Sequence, residues 1–258
     1  MRTAVLLSAA VGFALAQPAT ALAQGQPTTP PMLFVYNDYV APANTAAYEA
    51  ALKEGLAKVL AVPAGAKLDW IAASGSGNWY LYAFPMQSMG DIDRINRDWE
   101  TAMAAAGGPA IFAKSDALVD HSGSSMVAFR PDMSYVPANP SKAESEGTFR
   151  HWTYWYPLPG KAQELEAVAR EFAAMYKANN MDNGWRVYQA ITGPELPLYI
   201  VANSGMDPAD YYATGARNDA ELGDADNALF EKAFKLTRRV ETRDGMMRPD
   251  LAAAAFKK

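Results

Sequence analysis

The sequence predicts an α+β fold made of two copies of a β-α-β-β-α-β unit, and three observations carry that prediction. Two segments of similar length, 32–140 and 148–258, repeat one order of strand-like and helix-like patterns. Each segment closes on the same tripeptide, Arg130-Pro131-Asp132 in the first and Arg248-Pro249-Asp250 in the second. Stretches such as "NWYLYAF" and "HWTYWY" carry aromatics on both faces, so both faces of the sheet need cover. Helices over one face and the other copy's sheet over the second would make a fused α/β barrel. Two separate units that each dimerise through a bare face are the alternative.

The chain opens with the pattern of an export signal: Arg2, an apolar run from Ala4 to Ala16, and Ala21-Leu22-Ala23 before Gln24. We therefore expect residues 1–23 to be a signal peptide and the product to be periplasmic or secreted, with 258 − 23 = 235 residues remaining. No later segment has the length of apolar run that a spanning helix needs, so no membrane association is expected after the signal is removed. Composition is 50% hydrophobic and 20% charged, with 6 Trp, 13 Tyr and 10 Phe, which suits a large core. The net charge of −5, or −6 without Arg2, disfavours nucleic acid as a partner. The absence of cysteine excludes disulfides, thiolate metal sites and cysteine nucleophiles together.

After an extended leader, residues 24–31, the first unit spans 32–140. "LFVYNDYV" is its first strand, and a helix from about Thr45 carries Tyr48, Leu52, Leu56, Val59 and Leu60 at helical spacing before Pro63 ends it. "KLDWIAAS" and "NWYLYAFP" flank the hairpin turn "GSG". A second helix starts near Ser88, whose hydroxyl is expected to cap it, and is striped by Ile92, Ile95, Trp99 and Met103. A short helical piece at Ile111–Leu118 and the polar loop "VDHSGSS" lead to the closing strand "SSMVAFRP". Val136–Gly147 reads as a linker, narrowed to 141–147 between the units.

The second unit, 148–258, repeats the order. "FRHWTYWYPL" is a strand, and Leu165, Val168, Ala169, Phe172 and Tyr176 stripe a helix. "GWRVYQAIT" and "PLYIVANS" form a hairpin around "GPE". Asp207 before Pro208 is a strong helix start. Leu229, Phe230, Ala233, Phe234 and Val240 predict a further helix, "ETRDGMMRP" closes the unit, and Asp250 should cap a C-terminal helix. Landmarks keep nearly one offset: Met89 to Met206 is 117 residues and Arg130 to Arg248 is 118.

This order is the ferredoxin-like one. The arrangement resembles the dimeric α/β barrel superfamily, which includes antibiotic-biosynthesis-type monooxygenases and chlorite dismutase-like haem proteins, with a tandem copy in place of the dimer partner. The resemblance covers most of the chain after the signal. It implies a cavity between sheet and helices, or between sheets, that holds a small hydrophobic molecule or haem.

Candidate chemistry centres on the second unit. His151 shares a strand face with Thr153 and Trp155, where it could serve as a general base or a haem ligand, or be a satisfied strand-end histidine. His121 reads as a surface loop residue. Arg186 on the face of Tyr188, and Arg150 on the face of Trp152 and Tyr154, suggest an aromatic pocket with a cationic anchor for an anionic or carbonyl-bearing ligand; pairing with carboxylates at a barrel rim is the plainer alternative. The candidate ligand residues are thus His151, Tyr154, Arg186 and Tyr188. Asn37 and Asp38 carry the same two readings in the first unit. The acidic stretch "RNDAELGDADNA" reads as a solvated helix connection without EF-hand spacing, and no metal site is expected. The leading functional expectation is binding of a small, partly apolar ligand with no cofactor, by a monomer or homodimer. A monooxygenase-like or haem-dependent oxidoreductase is the alternative, and an envelope protein-interaction module is the third.

Overall fold

The computed structural model describes residues 30–255. The expected signal peptide and all but the last two residues of the leader lie outside the described residues.

Eight strands alternate with helices. The first half holds β1 (Met32–Val40), α1 (Thr45–Ala61), β2 (Ile71–Gly75), β3 (Trp79–Met86), α2 (Asp91–Ala106), α3 (Ala113–Asp116) and β4 (Val119–Phe129). A short helix α4 (Lys142–Glu146) precedes β5 (Phe149–Pro157), α5 (Ala162–Ala178), β6 (Trp185–Thr192), β7 (Tyr199–Gly205), α6 (Pro208–Leu222), α7 (Asp224–Lys235) and β8 (Thr237–Met247). The strands close an antiparallel barrel in the order β1-β3-β2-β8-β5-β7-β6-β4. Adding four to each strand number returns the same cyclic order, so the barrel has a pseudo-two-fold arrangement.

Alternation along the strands sorts side chains between two environments. Inward residues such as Leu33, Val35, Ala83, Val127 and Ala190 fill the barrel, and Trp79 meets Trp152 edge-on at 5.4 Å. Outward residues pack under helices: Tyr36, Tyr80 and Tyr82 under the first half's helices, and Trp155, Trp185 and Tyr199 under the second's. The aromatics on both strand faces are explained by this double cover. The stripe on α1 is buried as expected, and Asp207 caps α6 by accepting from the Asp210 amide at 2.8 Å. The first hairpin turns through Gly77 at φ +87 and Asn78 at φ 56, a left-handed pair suited to a tight turn.

Several boundaries differ from expectation. Helix α2 begins at Asp91, whose carboxylate accepts from the Gln87 and Ser88 amides at 2.6 and 3.2 Å, so Asp91 rather than the Ser88 hydroxyl holds this end. Helix α7 stops at Lys235, and Val240 belongs to β8, where the alternating "TRRVET" pairs along β5. The basic run beyond Lys235 is therefore strand, with Arg238 2.5 Å from Glu195 and Arg239 over the Tyr156 ring at 4.0 Å. His121 lies in β4, exposed, stacked on Tyr39 at 4.2 Å and bonded to Asp120. The linker is partly helical, because Ser141 caps α4. In place of a C-terminal α-helix there are two 3-10 turns, Pro249–Leu251 and Ala253–Ala255. Asp250 cannot cap a helix there, since Arg248 and Lys53 hold its carboxylate.

The two Arg-Pro-Asp tripeptides fasten the halves together. Arg130 follows β4 yet pairs with Glu166 on α5 of the other half at 3.0 Å, while also gripping Asp132. Arg248 follows β8 and pairs with Glu49 on α1 of the first half at 2.6 Å, while gripping Asp250. Tyr199 donates to Glu166 and Tyr80 to Glu49, completing two matching networks. A second matching pair lies beside them: the Trp185 indole donates to the Met133 carbonyl, and the Trp70 indole to the Leu251 carbonyl. Each arginine thus reaches across the barrel seam while also pairing with the aspartate of its own tripeptide.

Candidate functional site

A cavity of ≈ 270 Å³ lies between α5, α6 and α7 and the outward face of β5, β6 and β7. That is near the lower end of ligand pockets, which run from ~300 to 1,000 Å³. Its floor is the strand face bearing Thr153, Trp155, Trp185, Val187, Tyr199 and Val201. Phe172 and Tyr176 of α5, Tyr211, Thr214 and Gly215 of α6, and Phe230 of α7 form the walls. Half-exposed Phe230 marks the mouth.

The corresponding space in the first half is only partly open: a cavity of ≈ 210 Å³ remains beside Leu68, Phe84 and Ile95, and aromatic side chains fill the part next to it. Trp99 of α2 meets Trp70 edge-on at 5.7 Å and stacks on Phe112 at 6.0 Å. Phe112 in turn lies so close over Gly55 of α1 that an added Cβ would sit 2.5 Å from its ring. In the second half Gly215 stands 215 − 99 = 116 residues after Trp99, the spacing that also relates the buried helix residues Ala102 and Asn218 (218 − 102 = 116). A Cβ on Gly215 would meet nothing within 4 Å. An indole at one helix position and a hydrogen at its counterpart are the difference between the halves at this point of the two spaces.

The charged groups of the cavity are all acidic: Glu166, Asp219 and Asp226. Glu166 is already engaged, with Arg130 and then the Tyr199 hydroxyl holding its carboxyl below the usual range. Asp226 is 3% exposed, and its Oδ1 has no hydrogen-bond partner. Burial, and secondarily the neighbouring Asp219, pushes its carboxyl pKa up. Asn218 is 4% exposed; its Nδ2 donates to Asn183 Oδ1 at 3.1 Å, and its own Oδ1 is unpartnered. Burial, reinforced by Asp226, raises the Tyr176 hydroxyl to about 12. No lysine, arginine or histidine lines the cavity.

The residues singled out from the sequence fall elsewhere. His151 is buried beside the site: its Nδ1 is 2.6 Å from Asp244 and its ring stacks at 4.7 Å on Tyr211, which does line the cavity. Tyr154 points into the barrel, where Arg243 lies 5.0 Å from its ring and burial raises its hydroxyl to about 12. Arg186 binds Glu144 of α4 at 2.7 Å. Tyr188 also faces the barrel interior, 5.7 Å from Phe129, with Arg186 and Arg150 nearby; Arg150 donates to the Gly147 and Phe149 carbonyls. Asp38 is satisfied by Tyr48 at 2.7 Å and Ser122 at 2.6 Å. Asp226 shows that the acidic connection is not wholly solvated. Its signal in the sequence was its place one turn before Leu229 and Phe230 on the inner face of α7.

Haem would need an axial ligand and cations for its propionates. The lining contains no histidine and no cation, so the residues of this cavity do not fit haem. Among the described residues no group of three His, Asp or Glu is placed to hold a metal ion, and no helix is long and apolar enough to cross a membrane.

No protein-family model matches the sequence, and no curated protein matches it either. Solved structures do. An anthrone oxidase-like protein aligns at TM-score 0.56 and 11% identity, covering 84% of this chain and 92% of that one. A candidate monooxygenase from Lactobacillus acidophilus NCFM aligns at 0.52 and 8%, covering 85% and 94%. A variant of chlorite dismutase from Candidatus Nitrospira defluvii aligns at 0.51 and 12%, covering 90% and 97%. At such identities the likeness is one of fold, and the fold this chain shares with them is the dimeric α/β barrel.

Proposed function

We propose that this protein binds a small, largely apolar organic molecule in the cavity of its second half. The observation that carries the reading is the contrast between the halves: Trp99 and Phe112 fill part of one helix–sheet space and leave a smaller cavity with four charged residues in its lining, whereas its counterpart is lined by aromatics. Natural interiors seldom leave such space without an occupant. The test is a thermal-shift screen with small aromatic compounds. A ligand of this cavity raises the melting temperature of the native protein and has no effect on Gly215→Trp; a shift that survives in the variant refutes the assignment.

Two finer readings accompany it. The likeness to a candidate monooxygenase and an anthrone oxidase-like protein, together with the His151–Asp244 pair behind Tyr211, supports an oxidative enzyme acting on a bound aromatic. Oxygen uptake that depends on a bound aromatic and falls in His151→Gln would favour it over simple binding. We further infer export, with a mature chain starting at Gln24, and descent of the two halves from one duplicated ferredoxin-like unit. The matched Arg-Pro-Asp networks and the shared cyclic strand order support the duplication. Mass spectrometry of the protein recovered from its host checks the first: an intact Met1 would exclude cleavage.

A further inference from the structure

We propose that the ligand of this cavity is an organic cation, a primary or substituted ammonium joined to an aromatic or alkyl body. The inference rests on the proposal that the cavity binds a small molecule, and it names the chemical class. Three observations converge on it. Asp226 is buried at 3% exposure, lines the cavity, and has a carboxylate oxygen with no hydrogen-bond partner; the Oδ1 of Asn218, in the same lining, is equally unpartnered. A buried carboxyl left without partners is costly, and the usual remedy is a cation or several donors. The protein supplies no cation from within, because the lining holds no lysine, arginine or histidine, while Asp219 adds a second carboxylate at the rim. The nearest arginines are already engaged, Arg130 with Glu166 and Asp132, and Arg217 with Asp182.

The walls suit the same guest. Phe172, Tyr176, Trp185, Tyr211 and Phe230 present rings around the space, and the faces of such rings attract ammonium groups. An ammonium has three donors, enough for the Asp226 carboxylate and the Asn218 amide oxygen together. A carboxylate or phosphate ligand would meet two acidic residues and no compensating charge.

The test compares three probes of nearly one shape by calorimetry on the full-length mature protein: 2-phenylethylamine, 2-phenylethanol and phenylacetate. The amine should bind about tenfold or more tightly than the alcohol, with phenylacetate weakest, as expected when a desolvated carboxylate meets a cation within aromatic walls. In Asp226→Asn that preference should collapse. Equal binding of amine and alcohol by the native protein overturns the cation assignment and leaves the cavity assignment standing. So does an amine preference undiminished in a folded Asp226→Asn. Binding of none of the three overturns both. The native comparison needs no variant, so a failure of Asp226→Asn to fold does not blunt the test.

Discussion

Arg130 and Arg248 each hold two carboxylates and reach across to the opposite half, which makes them the residues most exposed to a simple stability test. Each is largely shielded, with side chains at 20% and 19% exposure. Arg248→Met leaves Glu49 without its main partner and should cost about 2–3 kcal/mol in urea unfolding, less than the 3–5 of a fully buried pair. Arg130→Met should cost a similar amount. The pH dependence follows from direction. Arg130 holds the Asp132 carboxyl at about 2, down from 3.8, and the two networks also depress Glu49, Glu166 and Asp250. A depressed folded pKa gives stability that is present above the unfolded pKa and lost as pH falls through the folded one. The gap in melting temperature between native protein and Arg130→Met should therefore be full above about pH 5 and shrink toward pH 2. A gap unchanged by acid would show that the arginine acts through packing alone. The repeated tripeptide was plain in the sequence, but its partners were not, since Glu166 and Glu49 lie 36 and 199 residues away. Asp226 was harder still: within an acidic run, its place one turn before Leu229 and Phe230 was the sole mark that this carboxylate turns inward.

At the level of elements, strand alternation and helix stripes were legible wherever one face meets a uniform neighbour. Helix α1, striped from Tyr48 to Leu60, lies where the pattern put it. Misplaced boundaries occur where one pattern runs into another, as at Leu236, where the apolar spacing of α7 passes into the alternation of β8. A cavity between sheet and helices was implied by the resemblance, but its extent in the second half was not legible, because the contrast involves one helix carrying Trp99 and its counterpart carrying Gly215. That same contrast yields a prediction. Gly215→Trp removes a helical glycine, worth about 0.5–1 kcal/mol, and adds apolar burial against α5, so the melting temperature should rise by about 2–4 °C for each kcal/mol gained. Ligand binding should be lost with it. A destabilised Gly215→Trp would show that the space at this position is narrower than the open side of Gly215 indicates.

For the molecule as a whole, closure of the barrel depends on two seams, β2 with β8 and β4 with β6, and neither half can complete the barrel alone. Residues 30–140 expressed separately would expose Val35, Ala83 and Val127 together with two unpaired edges. We expect that fragment to associate with itself or with residues 141–258 rather than persist as a folded monomer. Analytical ultracentrifugation distinguishes the outcomes, and a stable monomeric half would contradict the account of two interdependent sheets. The central claim concerns what the second half encloses. It is tested most directly by native mass spectrometry of the protein purified from its own host, side by side with Gly215→Trp. We predict an additional small mass on the native protein that is released on denaturation and absent from the variant. The same mass on both proteins, or none on either, would contradict the claim that this cavity is the site.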